Sequence, residues 1–172
     1  PEIGQFLDHP AATDKYRYCT EAVLSHSHLS ITELKEIISP FGDSFILAGD
    51  PKKLHIHIHT NEPDRLFGKL FELGEVSGSK VDDMLRQFQI SHERKYSIGL
   101  VTDTACDLPQ SILDEYQISR IPFGINFGDK SYLDTLTITP ERFYQQLKHN
   151  KTHPVSSQPS PTAVKQSLEF AA

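Results

Sequence analysis

Between Leu54 and Thr60 aliphatic and imidazole side chains alternate without a break, Leu54, Ile56 and Ile58 against His55, His57 and His59. A period of two belongs to a β-strand, whose successive side chains point to opposite faces, so the aliphatic row predicts a packed face and the imidazoles a second, chemically active one. Tyr16 to Leu24 alternates in the same way and puts Cys19 and Glu21 on a common face. Ser44 to Ala48 predicts a short strand, Gly49-Asp50-Pro51 a turn, and Lys53 to Thr60 the histidine strand, so the two strands form a hairpin. Glu75 to Val81 supplies a fourth strand, weakened by Gly78. Helices fall between these strands. Ser30-Ile31-Thr32-Glu33 is a capping box followed by Ile31, Leu34, Ile37 and Ile38 at helical spacing, and Pro40 with Gly42 ends the run. Glu62 to Leu73 repeats the pattern, with Pro63 in the first turn, Leu66, Phe67, Leu70 and Leu73 on one face, and Gly74 as the stop.

Strand, helix, strand, strand, helix, strand is the βαββαβ order of ferredoxin-like sandwiches. In that arrangement the first and third strands are central neighbours and both helices cover one face. Cys19 then lies beside His57 and His59, and the histidines occupy the open face. Thiolate and imidazole together suit Zn²⁺, whose catalytic sites often use three protein ligands.

The second half changes in character. Asp83 to Gln89 closes the first unit through Met84, Leu85 and Phe88, and Ile90 to Lys95 is polar. The expected division is a lead-in over residues 1–14, a first domain over 15–91, a linker over 92–95 and a second, α/β domain over 96–172. Tyr96 to Val101 predicts a buried strand that runs into Thr102-Asp103-Thr104-Ala105-Cys106-Asp107-Leu108-Pro109, with Asp107 capping a helix that carries Ile112, Leu113 and Tyr116. Loops at the carboxyl ends of such strands are placed for binding. Ser119 to Phe127 predicts one further strand, Gly128 to Asp134 a hairpin-like excursion, Thr139-Pro140 the start of a helix, and Ser160-Pro161 the start of the last one.

Composition narrows the classes. A hydrophobic fraction of 37% in 172 residues permits a buried core, and a formal charge of −6 without a basic block gives no footprint for nucleic acid. No apolar run approaches the roughly 18 residues that cross a bilayer, and two distant cysteines, Cys19 and Cys106, fit a reducing compartment, so the cytoplasm is expected. A start at Pro1 and an end inside an amphipathic pattern suggest a piece of a longer protein.

From Tyr96 onward the chain resembles the DegV family of bacterial fatty-acid-binding proteins. The resemblance rests on the run Val101 to Pro109, on Ile121-Pro122-Phe123 with Tyr132-Leu133-Asp134, and on Ser156-Ser157-Gln158-Pro159-Ser160, where Ser156 stands in place of the usual threonine. It covers the first part of a DegV domain and implies that Ser156 and Ser157 hold a fatty-acid carboxylate, with Thr102 and Thr104 as secondary candidates. Tyr18-Cys19-Thr20-Glu21, Gly42-Asp43-Ser44, His57 to Pro63 and Asp82-Asp83-Met84 with Gln87 resemble the module that follows the nucleotide-binding, dihydroxyacetone-kinase-like domain of fatty acid kinases. That resemblance implies a metal-associated site of Cys19, His57 and His59 and leaves His55 out. The combined expectation is a fusion that presents a bound acyl carboxylate for phosphorylation by ATP held on an upstream domain or in trans. No G-x-x-x-x-G-K-[ST] run occurs within the chain itself. Two other readings use the same residues: a zinc hydrolase on Cys19, His57 and His59 with Glu21 as base, and a homodimer formed by the open sheet face.

Overall fold

Tyr18 to Ser25 forms the first strand, β1, and its alternation sends Thr20, Ala22 and Leu24 to the packed side. The computed structural model describes residues 15–50 and 52–172, so the lead-in at 1–14 and Pro51 of the predicted turn lie outside the described residues. After β1 come α1 (Ile31–Ile38), β2 (Asp43–Asp50), β3 (Lys53–Thr60), α2 (Pro63–Leu73) and β4 (Glu75–Asp83). They build a four-stranded sheet in the order β2-β3-β1-β4, with β1 antiparallel to both neighbours, as the ferredoxin-like order requires. The capping box of α1 forms as its sequence dictates: the Ser30 hydroxyl accepts the Glu33 N–H, and the Glu33 carboxylate accepts the Ser30 N–H at 2.8 Å.

One core lies between sheet and helices. Leu54, Ile56 and Ile58 of β3 meet Leu34 and Ile38 of α1 and Leu66, Phe67 and Leu70 of α2. Burial of each such side chain contributes about 1.5–3 kcal/mol, which locks the register, because a one-residue slip would turn the imidazoles inward. Gly78 adopts a left-handed φ of 59° where the β1–β4 register shifts between Glu21 and Val23, so β4 bulges there and continues to Asp83.

Asp83 caps α3 (Met84–His92) by accepting the Arg86 N–H at 3.0 Å. Two smaller sheets follow. Strand β5 (Val101–Asp103) pairs parallel with β6 (Ser119–Ile121) across α4 (Gln110–Glu115), and β7 (Gly124–Phe127) lies between β8 (Lys130–Leu133) and β9 (Val155–Ser157). Helices α5 (Pro140–His149) and α6 (Pro161–Ala171) start at Thr139 and Ser160, whose hydroxyls accept the N–H groups of Arg142 and Ala163.

Three expectations need correction. Residues 96–100 are not strand, and Ile98 is 75% exposed, because β5 pairs among the described residues with β6 alone and over only three positions. Ser119 to Phe127 is divided between two sheets around Pro122, which has no N–H to give to a ladder. Asp107 does not cap α4, which begins at Gln110 with Pro109 before it, and Asp103 instead holds the loop by accepting the Ala105 N–H at 3.0 Å.

The second half packs along the β4 edge and α2. Phe71 of α2 joins the cluster of Phe127, Tyr132 and Ile138, its ring 4.8 Å from that of Tyr132. Among the described residues no helix is long and apolar enough to cross a membrane.

Candidate functional site

Antiparallel pairing of β1 with β3 sets Cys19 opposite His59 and Glu21 opposite His57. Alternation puts all four on the sheet face away from the helices. The ligand atoms of Cys19, His57 and His59 all lie within 4.8 Å of one another, with Cys19 Sγ 3.7 Å from His57 Nδ1 and the two imidazole centroids 5.2 Å apart. Tetrahedral zinc with ordinary bond lengths separates a sulfur from a nitrogen ligand by about 3.6 Å, so the donor types suit that ion and the Cys19–His57 pair has its spacing, while the set as a whole spans up to 4.8 Å. His55 stays outside the cluster, two residues along, opposite Val23 and Ala48.

This end of the face is more closed than the sequence pattern implies: Cys19 is 2% exposed and His59 9%. In register Cys19 is flanked by Asp82 on β4, which forms an ion pair with Lys80 at 2.6 Å. Burial, reinforced by the Asp82 and Glu21 carboxylates and only partly offset by Lys80, pushes the Cys19 thiol up to about 12. A divalent cation would reverse that balance and hold the sulfur as thiolate. Glu21 Oε1 lies 3.9 Å from His57 Nδ1, beyond hydrogen-bond distance, and adds negative charge beside the cluster.

A second feature opens between the two halves. A cleft of about 690 Å³ is bounded by β4 and α3 on one side and by α4, β6, the end of β9 and α6 on the other. Ser157 and Thr104 line it, whereas Ser156 and Thr102 do not. Ser157 pairs with Gly124 and Ser156 with Ile125, so strand alternation sends the two hydroxyls to opposite faces. A Cβ on residue 124 would collide with the Ser157 hydroxyl, and glycine there lets the two strands approach. Thr104 is 5% exposed, and its hydroxyl accepts the Phe123 N–H at 3.1 Å while its own N–H donates to the Ile121 carbonyl. Thr102 is held in β5 opposite Arg120.

The cleft also contains groups that pattern reading passed over. Arg17 donates to Asp83 Oδ2 at 2.6 Å and to Asp114 Oδ1 at 2.8 Å, and Arg86 donates to the same Asp114 oxygen at 2.6 Å and to the Leu113 carbonyl. Partial burial opposes ionisation of Asp114, but hydrogen bonds and charge from Arg17, with help from Gln110 and Arg86, outweigh it and hold the carboxyl below its usual range. Asp83 and Gln87 belong to the resembling run, but Arg17 carried no signal beyond its place in the alternation from Tyr16 to Leu24.

Comparison with known proteins finds a match for each half. Residues 97–172 match the DegV family model. Residues 15–91 match the FakA-like middle-domain model, named for fatty acid kinase. A DegV domain-containing protein of Clostridium perfringens is 37% identical over 65 residues, which cover 38% of this chain and 23% of that one. A relative in Caldanaerobacter subterraneus is 39% identical over 64 residues, 37% of this chain and 22% of its own length. The chain therefore spans less than a quarter of the length of these curated DegV relatives. A solved structure described as "Fatty Acid Binding of a DegV family Protein from Thermus thermophilus" is 33% identical, covers 43% of this chain and 28% of that one, and superimposes with a TM-score of 0.37.

Proposed function

We propose that the chain supplies two adjoining parts of a bacterial fatty-acid-kinase-type system: a metal-associated domain over residues 15–91 and the opening of a DegV-type lipid-binding domain over 96–172. The observation that carries the reading is the cleft into which both matched segments project. A fatty acid needs oriented donors at one end and apolar wall elsewhere. Ser157 offers its hydroxyl, and Leu113, Ile121, Leu133 and Phe170 offer apolar surface along the same cleft. The carboxylate is held there for phosphorylation by ATP bound upstream or in trans. Cys19, His57 and His59 would hold zinc, which in a three-ligand site keeps one position for an oxygen ligand and polarises it. Burial of Cys19 and His59 favours this role over hydrolysis of an external substrate.

Mass spectrometry of an organic extract of the full-length protein, purified from bacteria, tests the proposal. Near-stoichiometric fatty acid is expected, and less in S157A, whose affinity should fall at least about tenfold because the loss of a hydrogen bond to a charged group is worth roughly 1.5–3 kcal/mol. A wild-type extract free of fatty acid would sink the reading.

A further inference from the structure

The cleft wall carries four cationic side chains, Arg17, Lys80, Arg86 and Arg120. Three are neutralised by the fold. Arg17 is shared between Asp83 and Asp114, Lys80 sits 2.6 Å from Asp82, and Arg86 sits 2.6 Å from Asp114. Arg120 differs: its hydrogen bond among the described residues goes to a neutral group, the Gln110 Oε1 at 3.2 Å. A guanidinium is charged at every accessible pH and presents a planar fork that matches a carboxylate.

Its place along the chain is as specific as its charge. One residue further on, the Ile121 carbonyl accepts the Thr104 N–H, and four residues further on, Gly124 pairs with Ser157. Thr104 and Ser157, two of the hydroxyl residues that line the cleft, are thus both tied to the backbone within four residues of Arg120. Asp82 and Asp83 share the wall, but each is already matched by a cation.

Resting on the fatty-acid reading above, the geometry points to Arg120 as the residue that supplies the counter-charge for the ligand's carboxylate and makes the cleft select an acid over an uncharged lipid with the same tail.

The test is binding of palmitic acid and of hexadecanol to the full-length wild-type protein and to the R120Q and R120K variants. The wild type is expected to prefer the acid by about tenfold or more. In R120Q the preference falls to within roughly threefold of unity while the alcohol binds as before, and R120K, which keeps a positive charge, recovers part of it. An R120Q protein that keeps the wild-type preference, or one that loses both ligands alike, overturns the assignment. A wild-type protein that binds neither ligand overturns the fatty-acid reading itself.

Discussion

At the scale of single residues the Cys19, His57 and His59 cluster shows what a one-dimensional pattern contains. Alternation in Leu54 to Thr60 is enough to place His57 and His59 on one face, because the strand period is a property of the local backbone. Cys19, nearly forty positions earlier, joins them through strand pairing. After exhaustive dialysis the full-length protein is expected to retain about one zinc per chain, and C19S and H59A to retain little, by elemental analysis. Undiminished metal in both variants would refute the site. Arg120 was not legible: an arginine between Ser119 and Ile121 in a short strand has the pattern of an ordinary solvated position, and only the cleft shows that its neighbours' charges are already matched.

At the scale of elements, the ones that followed their sequence patterns carry their own local determinants. Helix α1 has its capping box, α5 and α6 have a hydroxyl cap followed by proline, and β3 has an unbroken alternation. The misplaced ones depend on a partner, since residues 96–100 are apolar enough for a strand but gain no ladder, and Pro122 divides a run that looked continuous. Gly42 gives a test at this scale. Its φ of 177° suits any residue, but a Cβ there would press on the backbone carbonyl of His59. G42A is therefore expected to lower stability in urea by about 1–3 kcal/mol, in the range of overpacking against a backbone that cannot give way. A change below about 0.5 kcal/mol would mean that β2 and β3 part freely at this point.

At the scale of the whole molecule, the two halves are joined by apolar contact at Phe71 and Tyr132 and by the ionic cluster of Arg17, Asp83, Arg86 and Asp114. Because the folded-state carboxyl of Asp114 lies below its unfolded value, its contribution is present above the ordinary aspartate pKa of about 3.9 and is lost as pH falls through the folded value. The Asp114 side chain is 36% exposed, so screening reduces what the pair is worth. D114N should cost about 1–2 kcal/mol at pH 7 and proportionately less below pH 4, so the gap between the two thermal-unfolding curves narrows on acidification. Parallel curves from pH 7 to pH 3 would show that the carboxylate does not hold the halves together.

By itself the sequence determined the period of β1, β3, α1 and α2, the caps of α1, α5 and α6, the order βαββαβ and the presence of two imidazoles on one face, because these depend on neighbours a few residues apart. Tertiary structure decided which strands pair, hence that Cys19 meets His59, that Ser157 and not Ser156 faces the cleft, and that one of four cationic side chains in its wall has a neutral partner. Those outcomes depend on surfaces brought together from distant positions, and no local periodicity encodes which of them will meet.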